Sequence, residues 1–533
     1  MRTEQDGGNV PSEIEARLVS APDSSWASKA HFRLHGSAMG PERGPSLYRP
    51  AAPKTAENAM PASAKRFVPN SLLFLIGLDF ALNGSAQALV LTDLHLRLNL
   101  SSPWHIAIVT LLSLLFTMGA LYATGCYRRD SLVRFSTALS PLAVAIAIAA
   151  AATIATMHLV LWPIFPDQEV YRSVSRCFTV TLLATAIALP ICSANRAVYF
   201  AMVRRHWFAR RVMIVGTGTR AAYLQTLLES DTHRAHSELF FVSEAILDGH
   251  SAASPKIRQI VPCTDKSLED LATELKADEV VVAVDEKRGL AIERLLNFKI
   301  SGIPVIEYDA LLERETGRID LRWLELSWLV YSPGFEVKLL DAILKRALDL
   351  TISAALLIIS MPALLVAMAA VKLEDRGPIF YRQTRVTRGG REFWIYKLRT
   401  MRVDAEAKGA QWASKNDART TKVGSFLRQS RIDEIPQLWN VLSGEMSLVG
   451  PRPERPVFIE QLSKQIPMYN FRHGVKAGLT GWAQINYPYG ASVEDARAKL
   501  EYDLYYMKNY SVLRDLSIIL QTFRILIWRV GAR

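Results

Sequence analysis

Apolar residues along this chain gather in long uninterrupted blocks, unlike the short alternations of a soluble protein. Four such blocks, near 71–91, 104–125, 139–161 and 177–203, each approach or exceed the ~20 residues a helix needs to cross a bilayer core. Positive charge orients them. Lys65 and Arg66 precede the first block, Arg128, Arg129 and Arg134 lie between the second and third, and Arg204, Arg205, Arg210 and Arg211 follow the fourth. The loops near 92–103 and 162–176 hold less excess positive charge. The positive-inside rule therefore predicts a cytoplasmic N-terminus, middle loop and remainder of the chain after Arg204. Asp79 and Asn83 interrupt the first block, which calls for a polar face turned into a helix bundle.

A fifth block, Ala347 to Val371, has basic flanks on both sides: Lys345 and Arg346 before it, Lys372, Arg376 and Arg382 after it. A straight crossing would carry the second basic flank to the opposite face, against the charge rule. Pro362 lies mid-block, where it removes a helix hydrogen bond. The expectation is a re-entrant helix over 341–373 that enters the cytoplasmic leaflet, breaks near Ser360-Met361-Pro362 and returns, with Ser360 or neighbouring helices as partners for the opened backbone. The last apolar run, Leu513 to Val530, carries Arg514, Asp515, Arg524 and Arg529 and suits a helix lying on the membrane surface or capping a domain.

Shorter patterns fill the rest. Residues 1–66 are rich in Pro, Ala, Ser, Gly and charge without periodicity, which predicts a disordered cytoplasmic tail and not a signal peptide. Arg211 to Val215 is a short apolar strand running into Gly216-Thr217-Gly218-Thr219-Arg220-Ala221, a GxGxxA turn opening a helix. With the buried-type strands Asp278–Val284 and Ile303–Ile306, residues 211–330 read as a Rossmann-like, doubly wound α/β domain. Gly216, Gly218 and Ala221 are candidates for nucleotide binding, although the same turn also serves strand–helix packing. The Tyr-x-x-x-Lys pair of a short-chain dehydrogenase occurs nowhere in the chain, so the domain is assigned a regulatory or scaffolding role.

Composition narrows the chemistry. Half of the 533 residues are hydrophobic and the formal net charge is +12, which suits a cytoplasmic membrane surface or phosphorylated substrates. No finger, RNP-like or basic-zipper pattern supports nucleic-acid binding. The four cysteines are scattered without a CxxC, so neither a disulfide framework nor a zinc site is expected. Charge concentrates between Arg376 and Pro456, where 16 Arg and Lys face 8 acids. Inside that basic stretch stands Arg431-Ile432-Asp433-Glu434-Ile435-Pro436-Gln437, followed by Gly450-Pro451-Arg452-Pro453. Adjacent carboxylates in so basic a setting suit an anionic substrate, with the acids as nucleophile and metal ligands. A solvated, salt-bridged surface is the alternative.

From Lys338 onward the chain resembles the bacterial sugar transferase family, the polyprenyl-phosphate sugar-1-phosphate transferases. The resemblance rests on Lys345-Arg346-x-x-Asp349, Gly377-Pro378-Ile379-Phe380-Tyr381-x-Gln383-x-Arg385-Val386, Phe393 to Met401, Asp433 to Gln437, Gly450 to Pro453, Gly478-Leu479-Thr480-Gly481-Trp482-Ala483-Gln484 and Tyr502-Asp503-Leu504-Tyr505-Tyr506, all in order. The four predicted spans and the α/β domain resemble the long form of that family. Tyr487 to Ala496 looks like the subgroup associated with exopolysaccharide clusters.

The resemblance implies transfer of a sugar-1-phosphate, glucose first among candidates, from a UDP-sugar to undecaprenyl phosphate with Mg²⁺ and release of UMP. By residue match, Asp433 would attack the β-phosphate and Glu434 would assist as metal ligand or acid/base. Lys397, Arg399 and Arg452 would contact phosphates, with Asp503, Gln437 and Arg385 in support. Arg385-Val386-Thr387 and Lys397-Leu398-Arg399 depart from the usual Arg-Val-Gly and Lys-Phe-Arg.

The expected protein is thus an α/β multi-domain protein of the bacterial inner membrane with its catalytic domain on the cytoplasmic face. It comprises a tail at 1–66, a four-helix transmembrane bundle at 67–206, the Rossmann-like domain at 207–335 and a mainly α catalytic domain at 336–533. Homo-oligomerisation is compatible with this plan. Two rival readings are a membrane-tethered nucleotide-sugar oxidoreductase or dehydratase using the GxGxxA turn, and a non-catalytic membrane scaffold or nucleotide sensor.

Overall fold

The computed structural model describes residues 70–98, 103–132, 135–156, 182–183, 185–228, 237–243, 260–261, 267–286, 292–324, 326–403, 405, 417–487, 490 and 492–528. The expected tail at 1–66 and the loop near 162–176 lie outside the described residues.

The first apolar blocks form helices α1 (Asn70–Leu98), α2 (Pro103–Ala123), α3 (Phe135–Thr156) and α4 (Ala188–Arg204). They pack on one another around Leu75, Leu121, Leu142 and Tyr199. Among the described residues, α1 and α3 hold stretches long and apolar enough to cross a membrane, whereas the apolar part of α2 is the shorter Thr110–Ala123. The fourth block lies partly outside the described residues. Asp79 and Asn83 are fully buried among the helices, as the interrupted pattern of α1 requires. Asp79 is ion-paired with Arg196, its Oδ1 accepts from Asn195 at 2.8 Å, and its Oδ2 accepts from the Tyr127 hydroxyl at 2.8 Å.

A parallel sheet follows. Strands β1 (Arg210–Val215), β2 (Ser237–Val242), β3 (Ile260–Val261), β4 (Glu279–Val282) and β5 (Val305–Glu307) lie in the order β3-β2-β1-β4-β5, every pair parallel. Helices α5 (Thr219–Leu228), α6 (Leu268–Glu274) and α7 (Ile292–Ile300) are interleaved with the strands, and α8 (Tyr308–Thr316) follows them. The order reverses beside β1, as it does when helices cover both faces of a sheet. Continuous Val and Ile runs in β1 and β4 follow from burial on both faces.

This α/β unit is latched to the C-terminal unit by polar contacts. Glu313 of α8 accepts from Lys508 Nζ at 2.6 Å and Asn509 Nδ2 at 2.8 Å, and Trp482 Nε1 donates to the Gly317 carbonyl at 2.7 Å. Gly317 caps α8 at φ 64°, a conformation in which glycine carries no Cβ penalty.

After the short helix α9 (Leu326–Tyr331), the fifth apolar block forms α10 (Leu339–Asp375). Here the expected helix break needs correction. α10 runs unbroken for 37 residues with Pro362 inside it, and Ser360 Oγ bonds the Leu357 carbonyl at 3.4 Å. A proline removes one i→i−4 bond, and the turns on either side carry the helix across.

Both ends of α10 are tied to the same unit. Lys345 Nζ donates to Val449 O at 3.0 Å and to Asp515 at 2.5 Å; Arg346 donates to the carbonyls of Val441 and Leu442; Asp349 Oδ1 accepts from Leu448 N at 3.0 Å. About 30 Å further along the helix, Leu364, Ala367 and Val371 pack on Leu398 and Leu427. The Lys-Arg-x-x-Asp motif is therefore a clamp.

The remainder is a small mixed assembly. Strands β6 (Phe380–Val386) and β7 (Glu392–Leu398) form an antiparallel hairpin; α11 (Lys422–Ser430) and a 3₁₀ turn (Ile432–Glu434) lead into α12 (Gln437–Ser443). Strand β8 (Ser447–Val449), α13 (Pro456–Gln465), β9 (Gly478–Thr480), α14 (Trp482–Asn486), α15 (Val493–Lys508) and α16 (Val512–Trp528) complete it. α16 caps this unit through buried Asp515 and Ile518 and also meets α2, where Tyr122 and Ser517 share a 2.5 Å hydroxyl contact.

Candidate active site

Alternation along β7 sets the first functional side chain. Phe393 and Ile395 are buried, and Lys397 continues their face inward, while Trp394 and Tyr396 are exposed. Asn440 on α12 holds that register: its Nδ2 donates to Trp394 O at 2.8 Å and its Oδ1 accepts from Tyr396 N at 3.2 Å. Helix α12 begins three residues after Glu434, so the same amide fixes Lys397 relative to the acidic pair.

That pair sits on a sharp corner. Arg431 adopts a left-handed conformation, φ 58°, closing α11 and opening the 3₁₀ turn that carries Asp433 and Glu434. A non-glycine residue in this region is uncommon and costs energy. Glu434 Oε1 accepts from Lys397 Nζ at 3.1 Å and Arg452 Nη2 at 2.9 Å, with Arg431 Nη1 at 3.8 Å. Arg452 is placed by the Gly-Pro-Arg-Pro turn, which is welded to β9 by Gly450 N to Thr480 O and Gly478 N to Pro451 O, both 2.9 Å. A Cβ on Gly450 would stand 2.3 Å from the Lys476 carbonyl, so only glycine permits this approach.

The two carboxyls are driven apart electrostatically. Burial, and then the neighbouring Glu434 charge, push Asp433 up to about 6, against the pull of Lys397 and Arg431. Burial would raise Glu434 as well, but Lys397, Arg452 and Arg431 outweigh it and hold the group well below the usual carboxylate range. Asp433 Oδ1 is buried without a hydrogen-bond partner. An ionised Glu434 beside an under-coordinated, more basic Asp433 is an arrangement suited to a carboxylate nucleophile.

Both acids line a cavity of about 1050 Å³. Among the described residues, thirteen Arg and Lys line it against three acids, Asp433, Glu434 and Glu454. Its other walls include Ile352 and Leu356 from α10 and Ile519 and Phe523 from α16. An anion-binding space therefore opens along an apolar wall.

The remaining predicted residues divide. Arg399 lines the cavity but is ion-paired with Asp375, and a Cβ on Gly377 would lie 2.1 Å from its Nη1. Arg385 also lines it, donating to Pro453 O at 2.9 Å and Gln383 at 2.6 Å. Asp503 does not reach the cavity. It is buried 2.8 Å from Arg472, whose Nη2 donates to the Arg452 carbonyl at 3.1 Å, so its support passes through two arginines. Burial raises Asp503 to about 6 although Arg472 opposes the shift. Gln437 lies in the core at the start of α12, away from the cavity.

Thr387, a departure from the usual glycine, is buried and stitches two segments together: its Oγ1 donates to Glu445 O at 2.9 Å and accepts from Ala477 N at 3.2 Å. Arg428 and Arg431 line the cavity without a local signal, because nothing in a basic run separates a cavity arginine from a solvated one; Arg472 lines it from beyond that run.

Residues 340–529 match the family model described as bacterial sugar transferase. The chain is 40% identical over 237 residues to the UDP-N-acetylgalactosamine-undecaprenyl-phosphate N-acetylgalactosaminephosphotransferase of Aeromonas hydrophila, covering 44% of this chain and 55% of that protein. It is 42% identical over 184 residues to the UDP-glucose:undecaprenyl-phosphate glucose-1-phosphate transferase of Escherichia coli (strain K12), covering 34% and 40%. The protein of the same description from Caulobacter vibrioides is 44% identical over 180 residues, covering 33% of this chain and 67% of its own length. The chain belongs to the bacterial sugar transferase family. Its matches span about half the length of the Aeromonas relative and two fifths of the Escherichia one.

Magnesium fits the acidic pair in one respect: the partnerless Asp433 Oδ1 adjoins a second carboxylate. Among the described residues no group of three His, Cys, Asp or Glu could hold a metal. Of the described residues, Asp433 and Glu434 would hold a Mg²⁺, with water and substrate phosphate completing its shell, as Mg²⁺ commonly does.

The GxGxxA turn is already engaged. Asp285 Oδ2 accepts from Thr219 N at 2.7 Å and Thr219 Oγ1 at 2.8 Å, and Oδ1 accepts from Arg220 N at 2.9 Å. A Cβ on Gly218 would lie 2.4 Å from this carboxylate, and one on Gly216 2.6 Å from Ala283 O, while Ala221 is buried in the core. Gly216, Gly218 and Ala221 thus serve packing and an internal carboxylate cap at the place where a dinucleotide phosphate would sit.

Proposed function

We propose that this protein transfers a sugar-1-phosphate from a UDP-sugar to undecaprenyl phosphate at the cytoplasmic face of the inner membrane, releasing UMP and initiating exopolysaccharide synthesis. The observation that carries this is the buried Asp433 with a partnerless Oδ1, beside a Glu434 held ionised by Lys397 and Arg452. Asp433 attacks the β-phosphorus of the donor, the α–β bridging P–O bond breaks, and UMP departs. The phosphate oxygen of the lipid then attacks the same phosphorus and regenerates the carboxylate. Splitting the reaction spares the site from holding two bulky anions at once.

Lys397, Arg431 and Arg452 offset the negative charge that gathers during each displacement. Mg²⁺, when bound, would add Lewis-acid neutralisation of the diphosphate. Glucose is the first candidate sugar. N-acetylgalactosamine is the second, because the Aeromonas relative matches over a longer stretch than the Escherichia one.

The membrane arrangement follows the same reading. α1 to α4 form a transmembrane bundle and the parallel sheet a Rossmann-like regulatory or scaffolding domain. Both ends of α10 hold the catalytic unit, which a straight crossing of a ~30 Å core would oppose, so α10 enters the cytoplasmic leaflet without the break at Pro362 and keeps both ends on that face. An oxidoreductase reading is disfavoured by Asp285 occupying the phosphate position of the GxGxxA turn.

The test is UMP release from a panel of UDP-sugars and undecaprenyl phosphate, followed across pH. Activity is expected to fall on the acid side of about pH 6, because both Asp433 and Asp503 gain protons there. Protonation of Asp433 removes the nucleophile, and protonation of Asp503 releases Arg472 from behind Arg452. Two protonations give a slope steeper than one, and Asp503→Asn should reduce it to one. A flat profile between pH 5 and 7 would contradict the assignment of Asp433.

A further inference from the structure

We propose that Arg128, contributed by the N-terminal helical region, binds the phosphate of the lipid acceptor inside the catalytic cavity; this rests on the function proposed above. Arg128 lines the same cavity as Asp433 and Glu434, although it precedes them by some three hundred positions. It stands on the tight turn that closes α2, where Arg128 N bonds Gly125 O at 3.0 Å and Cys126 and Tyr127 are buried, so its backbone is fixed.

Two helices of the catalytic unit orient its head. Nη1 donates to Asn486 Oδ1 and Gln521 Oε1, both at 3.3 Å. Those amides are themselves held: Asn486 Nδ2 donates to Trp482 O at 3.0 Å, and Gln521 Nε2 donates to Tyr122 OH at 3.2 Å and Ser517 Oγ at 3.1 Å. Gly125, at φ 85°, lets a second cation pass alongside. A Cβ there would meet Arg524 Cδ at 2.8 Å and Arg128 Cδ at 3.5 Å, and Arg524 lines the cavity too. Arg524 thus brings a second cation to the wall that Arg128 lines, and cations suit an anionic phosphate.

The position selects which anion. Lys397, Arg431 and Arg452 cluster at Glu434, beside the carboxylate that meets the donor diphosphate. Arg128 lies instead just past the end of the apolar helix α2, the end that the positive-inside rule assigns to the cytoplasmic surface. Its neighbours on the cavity wall include Ile519 and Phe523 of α16, an apolar path suited to a polyprenyl chain. A soluble nucleotide would gain nothing from that wall, whereas a lipid phosphate gains from both parts of it.

The experiment uses the full chain in nanodiscs and measures KM separately for UDP-sugar and undecaprenyl phosphate. Arg128→Ala should raise KM for the lipid about 10- to 100-fold, the cost of losing a charge-assisted hydrogen bond, with KM for the UDP-sugar changed less than about twofold. Arg128→Lys should recover part of the loss by keeping the charge. Arg128→Gln should not, although it can still bond Asn486 and Gln521. If Arg128→Ala fails to fold, the Lys and Gln pair decides. An unchanged lipid KM, an equal rise in both KM values, or equal behaviour of Lys and Gln would overturn the proposal. Should Asp433→Asn be silent, the proposed function itself has failed; should Asp433→Asn be dead while Arg128→Ala keeps a normal lipid KM, only the role of Arg128 has.

Discussion

Asp433→Asn is expected to lower UMP release by about 10³-fold or more, the usual scale for removing a covalent nucleophile. The substitution is nearly isosteric and leaves the 3₁₀ turn and the Lys397–Glu434–Arg452 cluster intact, so a loss reports chemistry and not folding. It also removes a buried charge that burial and Glu434 already disfavour, so the variant should unfold no sooner than the parent. Equal thermal stability with abolished turnover, measured on the same preparation, is the expected pair of results. Retained activity would assign the acidic pair to structure alone.

The second large effect concerns stability. Arg196 and Asp79 form a fully buried ion pair among α1 to α4, with Arg196 also 5.3 Å above the Tyr127 ring. Arg196→Met leaves the buried Asp79 carboxyl answered only by neutral donors, Asn195 and Tyr127. Breaking one partner of such a pair costs about 3–5 kcal/mol. Replacing both, as in Asp79→Leu with Arg196→Met, should return most of that loss, because no stranded charge remains. Thermal unfolding of the purified protein in detergent, run as a double-mutant cycle, checks this. Equal destabilisation by the single and double variants would mean the pair does not act as a unit.

How legible these features are in the sequence depends on how local their cause is. Apolar blocks become helices because length and composition suffice, and Asp79 and Asn83 announce a buried polar face since lipid would not tolerate them. Lys397 is readable from β7 because alternation sends it to the side of Phe393 and Ile395. Asp433 and Glu434 stand out through chemistry concentrated in a basic run.

Long-range pairings leave no such mark. Nothing near Asp503 indicates Arg472, and nothing near Lys345 indicates Asp515. Asp285 lies far from the turn it caps, so GxGxxA alone cannot reveal that its amides are taken. Pro362 is the instructive case: a proline argues for a break, yet α10 stays helical through it.

The most direct test of the account is intact-protein mass spectrometry after mixing the enzyme with its UDP-sugar and Mg²⁺ but no lipid acceptor. A single added phosphosugar, mapped to Asp433, lost on addition of undecaprenyl phosphate and absent in Asp433→Asn, is the predicted result. Stoichiometric UMP release with no covalent adduct, or an adduct on another residue, would contradict it.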